Sequence, residues 1–220
     1  MAKLILLRHF KSQWNKDNRF AGWVDNPLSE EGIQESEGIA QQFAGFSIDV
    51  IYTSPLTRNK QTVLRTLRLI GGKYTIFKYL EGKMEKWGNF NGDGSYIPAY
   101  VSESLNERYY GELQGLDKTE TIEKYGEEKV RLWRRSYNVA PPKGESLKDV
   151  YKRAVPFYKK YIEKDLKSGK NVLIVASHNS LRALVKYIEN ISDEKIADVE
   201  LPFGALLSYD FNGDLYKKLQ

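Results

Sequence analysis

Short apolar runs alternate along the chain with segments in which apolar residues recur at helical spacing. Residues 3–7, 50–53 and 172–176 are almost wholly apolar, which is typical of strands buried on both faces. Residues 74–80 form a less apolar run, which we place at an edge of the sheet. Because these runs alternate with helical segments, the pattern predicts a three-layer α/β/α fold with a mostly parallel sheet.

Capping residues and prolines mark the ends of the predicted helices in the first part of the chain. Ser29 begins one helix that runs to Gly45. Pro55 begins another that ends at Gly71 and Gly72.

Three further elements are predicted towards the carboxyl terminus. A capping box at Ser146 begins a long helix, in which Pro156 predicts a kink. A shorter helix is predicted over 180–189. Residues 206–211 begin a hairpin that turns at Asn212-Gly213.

Residues 81–142 interrupt this alternation of strands and helices. The segment is rich in Gly, Tyr, Arg and Trp, and only two short helices are predicted in it, over 119–125 and 128–137. Long irregular insertions usually carry function, and ligands of parallel sheets bind beyond the carboxyl ends of the strands. We therefore expect one domain over 1–220, in which this insertion caps the substrate site.

The composition narrows the classes of function. The chain has 220 residues, of which 29% are charged and 41% hydrophobic, as in a folded globular protein. It has no cysteine, which excludes thiolate catalysis, Cys-ligated zinc and iron–sulfur clusters. Its net charge of +5 suits an anionic partner.

Little in the sequence indicates that this partner is a membrane or a nucleic acid. The apolar run at its start is cut short by Arg8 and His9, so it does not resemble a signal peptide, and no stretch is long enough to span a bilayer. We expect a soluble, cytoplasmic protein with no membrane partner. Aromatic residues interleave with arginines over 133–137, but we expect no nucleic acid there.

The two histidines of the chain each follow an apolar strand, His9 after 3–7 and His178 after 172–176. Parallel strands end at one edge of a sheet, so both histidines are expected at that edge. Arg8 adjoins His9, Arg58 comes just after the predicted strand 50–53, and Arg182 follows His178. Since guanidinium groups match phosphate oxygens, the pattern predicts a phosphate site.

Histidine between arginines also suits phosphoryl transfer. A neutral imidazole can attack phosphorus and form a phosphoenzyme, while a second histidine balances charge. This chemistry needs no metal, and the chain has no H-E-x-x-H motif. The best candidate for the general acid is Glu107, inside the insertion.

A second group of cations has two interpretations. Lys118, Arg131, Arg134 and Arg135 form either an exposed basic helix face or a second anion site. Two anion sites around one histidine and glutamate would suit a small substrate with two negative groups, such as a phosphorylated acid.

Several motifs carry a family resemblance over almost the whole chain. L-R-H-F-K-S-Q-W-N at 7–15 resembles L-R-H-G-E-S-x-W-N, and T-S-P-L-T-R at 53–58 resembles T-S-x-L-x-R. R-F-A-G-W-V-D at 19–25 follows the next motif, and the most specific blocks are 105–118 and 133–137. The chain thus resembles the histidine phosphatase superfamily and, within it, the cofactor-dependent phosphoglycerate mutases.

The resemblance implies an isomerase of glycolysis and gluconeogenesis that interconverts 3-phosphoglycerate and 2-phosphoglycerate through a phosphohistidine. It implies 2,3-bisphosphoglycerate as the priming phosphate donor, no metal, and a homodimer or homotetramer. The implied catalytic residues are His9, Glu107, His178, Arg8 and Arg58. The implied substrate-binding residues are Asn15, Ala21, Gly22, Arg108, Tyr110, Lys118, Arg134, Arg135 and Asn179.

The sequence departs from the family motifs at three places. Phe10 and Lys11 replace a glycine and a glutamate, which is expected to alter the pocket, and Ala21 replaces a hydroxyl residue. The family's A-H-G-N-S-L-R reads A-S-H-N-S-L-R here, so an ungapped alignment puts Ser177 in the place of the histidine. We prefer a dropped glycine, with His178 in that role.

These departures keep two alternatives open. One is a metal-independent histidine phosphatase that acts on a small phosphoester with the same residues. A short carboxyl-terminal tail after the last strand favours this reading, because a looser site admits water to the phosphohistidine. The other is a catalytically inactive protein that binds an anion or regulates.

Overall fold

A mixed sheet forms the centre of the protein. The structure, a computed structural model, describes residues 1–43, 45–71, 74–87, 90 and 94–219. Within these ranges the strands are β1 (Ala2–Arg8), β2 (Val50–Thr53), β3 (Tyr74–Tyr79), β4 (Tyr96–Val101), β5 (Val172–Ala176), β6 (Leu206–Phe211) and β7 (Tyr216–Lys218). Their order is β3-β4-β2-β5-β1-β6-β7, and all neighbouring pairs are parallel except β1 with β6 and β6 with β7.

Helices connect the strands. The α-helices are α1 (Gln13–Lys16), α2 (Glu30–Glu35), α3 (Ile39–Gln42), α4 (Thr57–Leu69), α5 (Lys83–Trp87), α6 (Lys118–Tyr125), α7 (Glu127–Arg135), α8 (Leu147–Phe157), α9 (Glu163–Lys167) and α10 (His178–Ile188). A π-helix, Tyr158–Ile162, joins α8 to α9. Short 3-10 helices cover Ser36–Gly38, Glu103–Leu105, Gly111–Leu113 and Lys195–Asp198.

The two faces of the sheet build separate cores. Leu4 and Leu6 of β1 belong to a buried cluster with side chains of α8 and α10, whereas Ile5 and Leu7 belong to a second cluster with side chains of α4. Successive side chains of a strand point to opposite faces, so a strand covered on both faces is apolar throughout. The predicted three-layer α/β/α class with a mostly parallel sheet is confirmed.

The prediction of an insertion with only short helices was wrong in one respect. Residues 81–142 contain β4, which lies between β3 and β2 in the sheet. Ile97, Ala99 and Val101 are buried, as the alternation of a half-buried strand requires. The strand was not predicted because it contains Pro98, and proline lacks the N–H that a residue of a central strand donates.

Several predicted helix boundaries also differ. α4 begins at Thr57, after Pro55, and α10 begins at His178 with Ser177 as N-cap, two residues before the predicted start. The helix predicted from Ser29 is divided into α2, a 3-10 turn and α3, because the Ser36 hydroxyl donates to the Ile33 carbonyl and competes with regular helix bonding.

Three predicted features of the helices concern their ends and a proline inside one of them. Gly72, the predicted end of one helix, lies outside the described residues. The capping box at Ser146 is present, with Asp149 as its reciprocal partner. The helix continues past Pro156 and widens into the π turn that follows, as expected where a residue lacks the N–H for regular bonding.

The register of the central strands brings three chain segments together. Arg8 of β1 pairs with Ala176 of β5, and Thr53 of β2 pairs with Val175. The residues that follow these strands, including His9 and His178, therefore emerge at one edge of the sheet.

We predict that Gly32→Ala destabilises the fold by about 1–3 kcal/mol, because an added Cβ would lie 2.1 Å from the carbonyl oxygen of Lys11. Gly38→Ala is the matched control, since no atom lies within 4 Å of its added Cβ. Urea unfolding of both variants measures the difference. Equal stability of the two variants would contradict this close contact.

Candidate active site

A polar pocket of about 250 Å³ opens beyond the carboxyl ends of the central strands. Its wall includes every predicted site residue except Arg108. The predicted residues present are Arg8, His9, Asn15, Ala21, Gly22, Arg58, Glu107, Tyr110, Lys118, Arg134, Arg135, His178 and Asn179. Residues separated by more than 160 positions in the sequence thus meet in one site.

His9 follows β1 and is buried at the floor of this pocket. Its Nδ1 lies 2.6 Å from the carbonyl oxygen of Phe10. A carbonyl can only accept, so Nδ1 carries the proton and donates it. In a neutral ring Nε2 then holds a free lone pair. Burial lowers the pKa of His9 well below its usual value, and Arg58 and Arg8 lower it further.

The phenylalanine that replaces the family glycine does not line the pocket. Phe10 is buried in the cluster of apolar side chains beside β1. Its ring packs against Gly204, where an added Cβ would lie 2.7 Å from the Phe10 ring, and Gly204 has a φ of +68°. The Phe10 ring thus lies outside the pocket, and Gly204 leaves room for it there. Lys11 is also outside the wall and forms an ion pair of 2.8 Å with Glu31.

Two arginines beside His9 are held by backbone carbonyls. Arg58 donates to Gly22 O at 2.7 Å and to Val24 O at 3.0 Å. Arg8 donates to Leu201 O, and its guanidinium lies 3.8 Å from the ring centre of Phe203. Carbonyls orient these groups without neutralising them, so a positive field remains for an anion.

Burial also acts on these two guanidinium groups. It lowers the pKa of Arg8 to about 10 and also lowers the pKa of Arg58. The Nε atom of each has no hydrogen-bond partner among the described residues. A buried donor without a partner is costly, so a bound anion would stabilise both side chains.

Glu107 follows the 3-10 helix of the insertion and is buried beside the two arginines. Its Oε1 accepts hydrogen bonds from Asn179 Nδ2 at 2.7 Å and from the Arg108 backbone N–H at 2.6 Å. These two donors fix the carboxylate in the wall of the pocket, where it can exchange a proton with a ligand oxygen.

Arg182 does not reach the pocket, contrary to the expectation that it joins the other cations there. It is fully buried and donates to Asn179 Oδ1 at 3.0 Å. Its other amino group donates to the carbonyls of Arg135 and Ile196. Arg182 therefore positions Asn179, which in turn holds Glu107.

Of the two neighbours His178 and Ser177, only His178 lines the pocket. His178 lines the pocket, whereas Ser177 is fully buried and its hydroxyl accepts from Asn59 Nδ2 at 3.3 Å. Burial lowers the pKa of His178 well below its usual value, and the arginines around it, Arg8 first among them, lower it further.

The second group of cations is carried by two helices and not by the strands. Lys118, Arg134 and Arg135 all line the wall, at the start of α6 and the end of α7. Burial and the neighbouring Arg134 lower the pKa of Lys118 to about 8. Because these cations repel one another, a bound anion would stabilise all three. Arg131, grouped with them from the sequence, lies outside this wall.

Arg108 lies behind the wall. It is fully buried, donates to Arg134 O at 2.6 Å and to Tyr110 Oη at 3.4 Å, and its guanidinium lies 5.0 Å from the Tyr110 ring centre. Its side chain therefore supports Tyr110 and Arg134 in this structure.

Four residues of the pocket wall were not predicted from the sequence: Arg19, Phe20, Glu200 and Phe203. Arg19 and Phe20 belong to the motif at 19–25, so a signal for them existed. Glu200 and Phe203 lie in an irregular segment before β6, where no pattern or motif marks them.

The described residues contain neither a cluster of metal ligands nor a membrane-spanning helix. No three His, Asp or Glu side chains in the described ranges are clustered to hold a metal ion. Within the same ranges, every helix is too short or too polar to cross a membrane.

A family profile matches nearly the whole chain. The profile of the histidine phosphatase superfamily, branch 1, matches residues 4–92 and 88–219. Curated relatives agree with it. The chain is 43% identical to the 2,3-bisphosphoglycerate-dependent phosphoglycerate mutase of Methanococcus vannielii, over 100% of this chain and 94% of that protein. It is 45% identical to the enzyme of the same name from Chlamydia felis, over 99% and 97%.

Solved structures share the fold at lower sequence identity. YhfR of Bacillus stearothermophilus superposes with a TM-score of 0.77 at 22% identity, over 99% of this chain and 95% of that one. A mycobacterial glucosyl-3-phosphoglycerate phosphatase superposes with a TM-score of 0.75 at 18% identity, over 99% and 97%.

We predict that both histidines stay neutral in the folded protein well below pH 6.5, because burial and arginines lower each pKa. The unfolded chain takes up protons as pH falls through about 6.5, so the free energy of unfolding decreases below that pH. Nitrogen-15 NMR of the imidazoles measures both pKa values and the Nδ1–H tautomer of His9.

His178→Gln leaves a single imidazole signal and so assigns His9 in that experiment. A His9 that titrates near its usual pKa, or that carries its proton on Nε2, would contradict the geometry described above.

Proposed function

We propose that this chain, which belongs to the histidine phosphatase superfamily and within it to the 2,3-bisphosphoglycerate-dependent phosphoglycerate mutases, interconverts 3-phosphoglycerate and 2-phosphoglycerate through His9. The observation that supports this proposal best is the His9 imidazole. Its Nδ1 is held by the Phe10 carbonyl, and it lies beside Arg8 and Arg58, neither of which forms an ion pair among the described residues. We place this activity in the cytoplasm, in glycolysis and gluconeogenesis.

The first step is attack by His9 on a phosphoryl group. The Nε2–phosphorus bond forms, the bond from phosphorus to the leaving oxygen breaks, and Glu107 gives that oxygen a proton. Arg8 and Arg58 stabilise the charge on the transferring phosphoryl oxygens. The Phe10 carbonyl stabilises the ring as it becomes positive, because it accepts the Nδ1–H.

The second step returns the phosphoryl group to a bound phosphoglycerate. Glu107 takes the proton of the free hydroxyl as that oxygen bonds phosphorus and the bond to His9 breaks. When the phosphoryl group on the other carbon then passes to His9, the product is the isomer. Water in place of the hydroxyl would release phosphate, so exclusion of water decides between mutase and phosphatase.

The far end of the pocket suits the carboxylate of the substrate. Lys118, Arg134 and Arg135 supply positive charge there, and Tyr110 supplies a hydroxyl. We assign Asn15, Ala21 and Gly22 to the remaining wall. Gly22 has a φ of +48° and presents its carbonyl to Arg58, so its backbone also orients the phosphate site.

The same residues fit 2,3-bisphosphoglycerate. Six cationic side chains line the pocket against two carboxylates, and Arg8 and Arg58 each keep a buried Nε without a partner among the described residues. When bound, this molecule supplies the priming phosphoryl group. Arg8 and Arg58 would hold one phosphate, and Lys118, Arg134 and Arg135 the opposite end.

We predict rapid isomerisation of 3-phosphoglycerate that 2,3-bisphosphoglycerate stimulates, with little release of inorganic phosphate. A coupled assay for 2-phosphoglycerate, run with and without 2,3-bisphosphoglycerate while phosphate is followed in the same tube, measures both reactions. Phosphate release without isomerisation would show that the protein is a phosphatase and not a mutase.

We predict that His9→Ala abolishes the phosphoenzyme, because no other imidazole takes the place of its Nε2. Radiolabelled phosphate transferred to the protein, and lost in acid as phosphohistidine is, measures it. Turnover at the wild-type rate in this variant would rule out the mechanism.

We predict that Glu107→Gln retains phosphate binding and slows turnover by about 10²- to 10⁴-fold, the usual contribution of a general acid and base. The glutamine amide has the size of the carboxylate, but it cannot donate a proton to the substrate oxygen or accept one from it. Steady-state rates and phosphate affinity together test this role. Loss of phosphate binding would instead give Glu107 a structural role.

A further inference from the structure

One carboxylate in the pocket has no part in the mechanism above. Glu200 lies between the last 3-10 helix and β6, and its side chain is 52% exposed. The other carboxylate of the wall, Glu107, is buried and bound to Asn179. Glu200 is thus the carboxylate that a ligand entering the pocket meets.

Glu200 contacts two site residues from different helices. One carboxylate oxygen pairs with an amino group of Arg135, at the end of α7. The other lies 3.3 Å from Nε2 of His178, at the start of α10. The His178 contact lacks hydrogen-bond geometry, so His178 Nε2 remains without a hydrogen-bond partner among the described residues.

This pairing sets Arg135 apart from the other cations. Arg8, Arg19, Arg58, Lys118 and Arg134 form no ion pair with a carboxylate among the described residues, whereas Arg135 does. Glu200 therefore neutralises one cation of the second group. Its contact with His178 neutralises no charge, because burial and arginines lower the pKa of that imidazole and keep it neutral.

A glycerate substrate carries the same functional group as Glu200. A guanidinium binds a carboxylate through its planar fork, and it cannot give the same two donors to two carboxylates at once. Because Glu200 is tethered beside Arg135, its effective concentration there is high. An ion pair this exposed is also weak enough for a ligand to displace.

We propose that Glu200 is a specificity-determining residue that competes with the carboxylate of the substrate for Arg135 and so lowers affinity for the acid end of the ligand. The proposal rests on the function proposed above, in which Arg135 receives that carboxylate. Glu200 acts selectively, because its ion pair is with Arg135, whereas it forms no ion pair with Arg8 or Arg58 among the described residues and its contact with neutral His178 cancels no charge.

The test compares two ligands that differ in one group. 3-Phosphoglycerate carries a phosphate and a carboxylate, whereas glycerol 3-phosphate carries the phosphate and a hydroxymethyl group. Calorimetric titration of the wild-type protein and of Glu200→Gln with each ligand gives four dissociation constants without any need for turnover. Glutamine keeps the size of the side chain and removes its charge.

We expect Glu200→Gln to bind 3-phosphoglycerate about two- to fivefold more tightly, the range of an exposed ion pair, and to leave glycerol 3-phosphate unchanged. Asp198→Asn is the matched control. It removes one negative charge from the same exposed segment, outside the wall of the pocket, and should change neither affinity.

Three results would overturn the proposal. Weaker binding of 3-phosphoglycerate by Glu200→Gln would mean that Glu200 holds the substrate. Equal tightening of both ligands, or the same tightening in Asp198→Asn, would mean a general effect of charge. Unchanged binding of both ligands would remove Glu200 from recognition. A wild-type protein that binds 3-phosphoglycerate without isomerising it would count against the proposed function alone.

Discussion

The hydrogen bond from His9 Nδ1 to the Phe10 carbonyl determines which ring nitrogen faces the pocket. It depends on the backbone after β1, and that backbone is held by close contacts on both sides. Gly32 packs against Lys11, and Gly204 leaves space for the Phe10 ring outside the pocket. A side chain at either glycine would push against the segment that orients the nucleophile, so backbone packing and nucleophile geometry are coupled.

Charge in the site is arranged so that it remains available to a ligand. Arg8 and Arg58 are oriented by backbone carbonyls, which hold a guanidinium without cancelling its charge. Burial lowers the pKa of both groups, and each retains a donor without a partner among the described residues. Buried donors without partners are costly to the fold, and an anion that bridges them would offset part of that cost.

The insertion and the sheet supply different residues of the active site. β1 and α4 provide His9, Arg8 and Arg58, whereas the insertion provides Glu107 and the cations of the second group. Asn179 of α10 joins the two halves, since it binds Glu107 and is itself held by Arg182. The carboxylate proposed to transfer the proton is thus held, through Asn179, by Arg182, which lies outside the pocket wall.

The three layers, the central strands and the meeting of both histidines with Arg8 and Arg58 could be predicted from the residues alone, because buried parallel strands are apolar throughout and end at one edge. β4 could not be predicted, because Pro98 is atypical of a central strand. Packing between elements places Arg108 and Arg182 behind the wall and Glu200 in it, which no sequence pattern indicates. The direction of a long side chain depends on the elements packed around it, and the segment that carries Glu200 has no periodicity to signal its place.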